Sequence, residues 1–252
     1  MKKILYIVLA VPVFIILVWF FAVPGELLRE KMEEAISGAG EGNISASIKG
    51  FKKGLFFSIH ADSLDLAIDK TPTLKITDVT GYIDLRQLIK LQLAFSIEGK
   101  LGGGNITGLL KYPSEGEIKL EKAELNAVPY LAEIGIKGGG HLSGEIRLKD
   151  NNARLTFQIP DLAAREASVM IPFLESFHKA QGAFSINGNN VKIDSISLEG
   201  EKGYARLKGD ITNGEKNLNL ELMPSMDKLN SLESMLIGKY IVSPGYYIVP
   251  IK

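Results

Sequence analysis

The residues that most suggest chemistry in this 252-residue chain are two glycine runs, Gly102-Gly103-Gly104-Asn105-Ile106-Thr107-Gly108 and Gly138-Gly139-Gly140-His141-Leu142-Ser143-Gly144. Both have the spacing GxGxxxG. A dinucleotide fingerprint of that kind needs a strand before it and a helix after it, so that the helix N-terminus meets the pyrophosphate. Glu145-Ile146-Arg147-Leu148-Lys149 follows the second run and alternates polar with apolar, as a strand does. The runs therefore read as turns and bulges of an antiparallel sheet. They are similar to each other at an offset of 36, with a degenerate third copy over Gly203 to Gly209, and so suggest a sheet that grows by stacking like hairpins.

The other reactive side chains do not assemble a site. His60, His141 and His178 have no second His or Cys at metal-ligand spacing, and read as lone histidines on polar strand faces. Asp62, Asp65 and Asp69 fall on the polar side of an alternating segment, where solvation keeps carboxylates from dividing into acid and base. No G-x-S-x-G elbow occurs, and there is no cysteine for a thiolate, a disulfide or an acyl anchor. No catalytic residue, metal or cofactor is assigned, and a non-enzymatic protein is expected. Basic and acidic residues balance at 29 each, which gives no footprint for nucleic acid.

The elements around these residues are mostly strands. Leu64, Leu66 and Ile68 alternate with polar or small residues, as do Leu91, Leu93, Phe95 and Ile97. Further on come Ile118 with Leu120, then Leu142, Ile146 and Leu148, and then Leu155, Phe157 and Ile159. Phe184, Ile186, Val191, Ile193, Ile196 and Leu198 continue the pattern, and Leu218, Leu220 and Leu222 end it. Each set gives one apolar and one polar face. About ten to thirteen strands of ordinary length are expected. Helical periodicity is confined to Pro24–Ser37, Asp84–Lys90, Asn126–Glu133 and Met226–Leu236. The second half of Asp161–Lys179, with Phe173, Leu174 and Phe177, also leans towards helix.

The N-terminus differs from the rest. Ile4 to Val23 is a run of 20 residues without a charge, fifteen of them Leu, Ile, Val or Phe. Inserted as a helix, these contribute roughly −5 to −9 kcal/mol, and the run rises about 30 Å, the depth of the hydrocarbon core. Trp19, Phe20 and Phe21 stand at one end as an interfacial belt would. A cleaved signal peptide needs a shorter apolar region and a small-x-small exit, whereas here Pro24 occupies the exit, so an uncleaved signal anchor is preferred. Lys2 and Lys3 before the run place the N-terminus in the cytoplasm and the body outside it.

The expected architecture is mainly β: an N-terminal transmembrane helix followed by a large antiparallel, curled sheet, a trough or flattened barrel, with a few short helices. It divides into a transmembrane signal anchor (1–23), a juxtamembrane helix and hinge (24–42) and a periplasmic β-rich domain (43–252). So few helices cannot cover so many strands, and an apolar sheet face must be covered, curled inward or given a partner. The candidate apolar groove consists of Leu93, Phe95, Ile97, Leu120, Leu148, Phe157, Ile159 and Leu220.

Four features coincide: the N-terminal anchor, the segment Gly50-Phe51-Lys52-Lys53-Gly54-Leu55, the run Gly81-Tyr82-Ile83-Asp84-Leu85-Arg86-Gln87-Leu88 leading to Gly102-Gly103-Gly104-x-Ile106-x-Gly108, and the later glycine-started strands. Together they resemble the longer form of protein N of the bacterial type II (general) secretion system, and the wider group of AsmA-like envelope proteins. The resemblance covers nearly the whole chain, except that the chain stops soon after Tyr246-Tyr247-Ile248-Val249-Pro250. It implies a single-pass protein of the bacterial inner membrane with a periplasmic domain. The partners it implies are the inner membrane and other secretion-system components, with no nucleic acid. The AsmA-like relatives imply a lipid as the alternative partner. Two functions stay open: a structural or interaction component of a secretion apparatus, and a lipid-binding or lipid-transfer module.

Overall fold

The computed structural model describes residues 14, 17–38, 44–55, 57–68, 70–129, 137–150, 152–166, 173–188 and 190–251. Most of the expected anchor and hinge lies outside the described residues, as do Asp69, the end of the expected helix Asn126–Glu133, and Pro172. Among the described residues no helix is long and apolar enough to cross a membrane. Val18–Ala22 form a π-helical turn.

The chain is mainly β, with a large antiparallel sheet of 15 strands, a separate two-stranded ribbon and few helices. It forms two compact units, Met1–Leu101 with Thr107–Tyr112, and Gly102–Ile106 with Pro113–Lys252.

In the first unit, helix α1 (Gly25–Gly38) precedes β1 (Ile44–Lys49), β2 (Lys52–Lys53), β3 (Ile59–Ile68) and β4 (Thr71–Ile83), and α2 (Leu85–Ile89) leads to β5 (Ala94–Leu101). Strand β6 (Gly104–Lys111) has residues in both units. The ladder runs β1-β3-β4-β5, with β2 also on β3. Strand β4 is rich in β-branched residues, among them Thr73, Ile76, Val79 and Ile83, which suit a pleated surface. Helix α2 starts where the Asp84 carboxylate accepts the backbone N–H of Arg86 (2.9 Å) and Gln87 (3.4 Å).

Helix α1 packs on β1, and two of its side chains finish that strand. Glu33 Oε1 accepts the Ile48 N–H (2.6 Å), and Ser37 Oγ accepts the Ala46 N–H (3.2 Å). The partner strand β3 cannot take these donors, because β1 ends the ladder. Side chains of a helix thus stand in for a missing strand, and the edge is blunted against pairing with another chain.

The second unit contains β7 (Glu115–Glu124), β8 (Lys137–Gly139), β9 (His141–Lys149), β10 (Asn152–Ile159), β11 (Ala163–Glu166), β12 (Phe177–Asn187), β13 (Asn190–Gly200), β14 (Gly203–Thr212), β15 (Glu215–Pro224), α3 (Ser231–Gly238), β16 (Ile241–Ser243) and β17 (Tyr246–Ile251). Its ladder runs β7-β9-β10-β12-β13-β14-β15-β17-β16, and β8 pairs β11 as the ribbon.

Several expectations need correction. The described residues hold 17 strands, more than expected, because pieces as short as β2, β8 and β16 carry no readable alternation. The sheet does not close on itself, so no flattened barrel forms; β1 and β16 each lie at an end of the strand order, and β16 has only three residues. Leu91 and Leu93 precede β5 instead of joining it: Leu91 adopts φ 60° and is 97% exposed, so a turn takes the first half of the alternating stretch. Of Phe173, Leu174 and Phe177, only Leu174 enters a helical turn (Leu174–Ser176), while Phe177 opens β12 and is fully buried. The expected helix Met226–Leu236 splits into a turn at Met226–Lys228 and α3. Asn230 starts α3 by a capping box in which its side chain accepts the Glu233 N–H (2.8 Å) and Glu233 accepts the Asn230 N–H (2.9 Å).

Candidate functional site

Cross-strand register in the second unit arranges the apolar residues in rows across the sheet. One row runs Leu120, Gly144, Phe157, Gly182, Ile196, Leu207, Leu220 and Val249. A neighbouring row runs Ile118, Ile146, Leu155, Phe184, Ile193, Gly209, Leu218 and Ile251 on the same face. Leu148, Ala153, Ile186, Val191 and Ile211 form a third row. On the other side of the first row lies a fourth, including Ala123, Ile159, Ala180, Ala205, Leu222 and Tyr247. β-Bulges in β7 and β13 keep these positions in phase, by adding residues between Leu120 and Ala123 and between Ile193 and Ile196.

The rows differ in their cover. The fourth row lies under Phe173, Leu125, Leu162 and Ile237 of α3, and most of it is buried; Leu222 is fully enclosed. Phe173 and Phe177 pack ring to ring at 5.5 Å in this roof. In the first three rows burial changes along the sheet: Leu120, Phe157, Ile118, Ile146, Leu155, Leu148 and Ile186 all keep some surface, whereas Ile193, Leu218 and Leu220 are buried. One apolar face is thus sealed along its fourth row and at Leu220, Leu218 and Ile193, and left half-buried across β7, β9 and β10.

Phe157 lies flat in this face because its cross-strand neighbours are glycines, Gly144 on β9 and Gly182 on β12. A Cβ at Gly182 would stand 2.6 Å from Phe157 Cε1 and 3.0 Å from Ile196 Cγ1. The ring therefore fills the volume that a side chain at position 182 would take.

The candidate groove residues are divided by this arrangement. Leu120, Phe157 and Leu220 share one row, but Leu220 (4% exposed) is packed in the core with Leu222; Leu148 lies in the third row, and Ile159 is under the roof, 6% exposed. Leu93, Phe95 and Ile97 belong to the first unit, where Phe95 faces Ile83 and Ile97 faces Gly81 of β4. Leu93 lies outside the strand.

The opposite, polar face carries a feature that the sequence did not announce. A cavity of about 680 Å³ is lined there by Ser143, Thr156, Gln158, Gln181, Ser195 and Ser197, with Lys119 and Glu145 beside them. Ser197 is buried and donates to the Gln181 carbonyl oxygen (3.4 Å). The available signal was compositional: Ser143, Thr156, Gln158, Gln181, Ser195 and Ser197 are uncharged, whereas the same face carries charges on either side of them, Lys119 and Glu145 at one edge and the Arg206–Glu221 pair at the other.

The titratable residues hold structure together. His141 is not alone: its ring Nδ1 lies 2.5 Å from Asp161 Oδ2, and its N–H donates to Asp161 Oδ1 (2.7 Å). These bonds, the backbone one foremost, hold the Asp161 carboxyl below the usual carboxylate range. Both side chains are about half exposed, and the pair braces the corner between β9 and the segment after β10. His60 lies against Thr80 Oγ1 (3.2 Å). Asp65 pairs with Lys49 (2.7 Å). The first glycine run makes the β5–β6 turn, with Gly102 and Gly103 at φ 50° and 77°, and the second leads into β9. Among the described residues no group of three or more His, Asp or Glu side chains is placed to hold a metal ion.

No protein-family model, no curated protein and no solved structure matches the chain. Function must therefore be read from the sheet faces themselves.

Proposed function

We propose that this protein is a non-enzymatic, membrane-tethered component of the cell envelope that works by offering the apolar face of its sheet to a partner. The observation that carries this reading is the difference in cover along one continuous face: the row through Leu222 is sealed by its own chain, and Leu220, Leu218 and Ile193 are buried with it, while Leu120, Ile118, Ile146, Phe157, Leu155 and Leu148 on β7, β9 and β10 stay half-buried. Half-buried aliphatic rows of this width are favourable places for another apolar surface to bury itself. In this reading the sheet of the second unit curls along its unroofed rows into a trough. Ile4–Val23 is the inner-membrane anchor, the N-terminus is cytoplasmic, and the sheet is periplasmic.

The resemblance to protein N of the type II secretion system makes other secretion-system components the preferred partners. The decisive experiment is deletion of the gene, with complementation by wild type or by Leu148→Glu. Folded enzymes destined for export should accumulate in the periplasm of the deletion strain, and Leu148→Glu should fail to restore export. Unchanged export in the deletion strain would contradict the proposal.

The unroofed rows also favour a second reading, in which a lipid acyl chain lies along them. Native mass spectrometry of the full chain extracted in mild detergent would then show co-purifying phospholipid, reduced in Leu148→Glu. A lipid-free chain would exclude it.

A further inference from the structure

Strand β2 is only two residues long, yet it ties the sheet to the end of the apolar N-terminal run. Lys53 Nζ donates to the carbonyl oxygens of Trp19 (2.8 Å) and Phe20 (3.1 Å), and also to that of Val23. The Trp19 and Phe20 carbonyls belong to the helical turn Val18–Ala22 and that of Val23 to the extended residue after it, next to Pro24, which has no N–H to offer; a cation at a helix C-terminus is favoured by the helix dipole. The Lys53 ammonium also stands 5.5 Å from the Trp19 ring centroid and 5.9 Å from that of Phe20. In return, the Trp19 indole N–H donates to the Gly54 carbonyl (3.1 Å), and the Trp19 ring packs on Phe57 at 5.3 Å.

The described residues of the loop beyond these contacts are hydrogen-bonded to one another. Gly54 N–H donates to the Ser58 carbonyl (2.8 Å), and Ser58 donates to the Leu55 carbonyl through its N–H (3.1 Å) and its hydroxyl (2.7 Å). At its tip Leu55 is 60% exposed, next to an exposed Lys52 and beside a helix end that shows Phe20 and Phe21 to solvent.

We infer that the tip of the β2–β3 hairpin, Leu55 with Lys52, docks on the surface of the bilayer that holds the apolar run. The inference rests on the reading of Ile4–Val23 as a membrane anchor. Given that anchor, position follows from geometry. The hairpin is hydrogen-bonded to the final turn of the helix, and a turn rises about 5.4 Å. The headgroup layer on each side of the hydrocarbon core is roughly 5–7 Å deep. A loop fastened there lies within that layer, with Leu55 available to the acyl boundary and Lys52 to lipid phosphates. The first unit is then set on the membrane surface by two attachments, the helix and the hairpin tip, instead of swinging from one.

The chain has no cysteine, so single-cysteine labelling is clean. Nitroxide labels at Val8→Cys, Leu55→Cys and Asn213→Cys, each in the full chain reconstituted into phosphatidylcholine–phosphatidylglycerol vesicles, report depth by their relative accessibility to oxygen and to a water-soluble nickel complex. The expected result is a Val8 label in the hydrocarbon core and a Leu55 label with an oxygen-to-nickel ratio several-fold above that of Asn213 in its polar hairpin. Adding Lys52→Glu should move the Leu55 ratio toward the Asn213 value. A Val8 label in lipid with a Leu55 label as wet as Asn213 would overturn the docking and leave the anchor standing. A Val8 label in water would remove both.

Discussion

At Gly182 one methyl group separates two arrangements of the apolar face. The Phe157 ring occupies the space of the missing side chain, so Gly182→Val must push the ring off the sheet or distort the β10–β12 pairing. Overpacking of this kind costs about 1–3 kcal/mol. Urea unfolding should show stability lower by that amount, as a reduced midpoint with an unchanged slope. The double variant Gly182→Val with Phe157→Ala should recover part of the loss, since it removes the collision. Glu233 is a second such point. Its carboxylate accepts from Lys202 (2.6 Å) and from the Asn230 N–H (2.9 Å), the Lys202 bond having the larger effect, and these bonds depress its pKa. A carboxylate whose folded pKa lies below its unfolded value contributes stability that is complete above the unfolded value and drains away as pH falls through the folded one. Melting curves from pH 7 down to 3 should therefore show Tm falling more steeply for wild type than for Glu233→Gln, with the two curves converging at the acid end.

Strands and helices differ in how plainly they were written. Alternation located β7, β9, β10, β12, β13 and β15 because each places apolar residues on one face over several pairs, whereas β14 was marked only by the degenerate glycine copy over Gly203 to Gly209. The short helical stretch Asp84–Lys90 was legible as well, and α2 starts there because the Asp84 carboxylate accepts the first free N–H groups of the helix. The pattern failed where turn chemistry competes with it: Leu91 continues the alternation in sequence but sits in a left-handed turn. It failed also at Phe177, whose helical spacing from Phe173 brings both rings into the same roof without a helix between them. For the candidate site, the apolar face was legible and the cavity on the polar face was not, because period-two reading assigns every residue of that side to solvent. The capping of β1 by Glu33 and Ser37 was equally invisible, since it joins residues of unlike elements. Removing both side chains, Glu33→Ala with Ser37→Ala, leaves the Ile48 and Ala46 N–H groups without those acceptors. Amide exchange at these two positions should speed up, and the edge should now pair with a second chain. Dimers or larger species on sedimentation, absent for wild type, are the expected outcome; a monomeric double variant with unchanged exchange would contradict this role of α1.

For the molecule as a whole, the account depends on the unroofed rows being a working surface. A sheet that merely needed to fold would gain by extending the roof of Phe173, Leu125 and Ile237 over Leu120, Leu155 and Leu148, since burying apolar area yields about 25 cal/mol per Å². The glycine at 182 lets the Phe157 ring lie down on the sheet, so that this part of the face is presented as an aromatic surface. Both proposed partners, a secretion component and a lipid, would use this same surface. The measurement that tests it most directly is photocrosslinking in living cells from a benzophenone amino acid placed at Leu148, on the unroofed rows, and at Gln158, on the polar face. A strong adduct is expected from position 148, either to a defined protein or to lipid, and little from position 158. Equal labelling from the two positions, or none from 148, would contradict it.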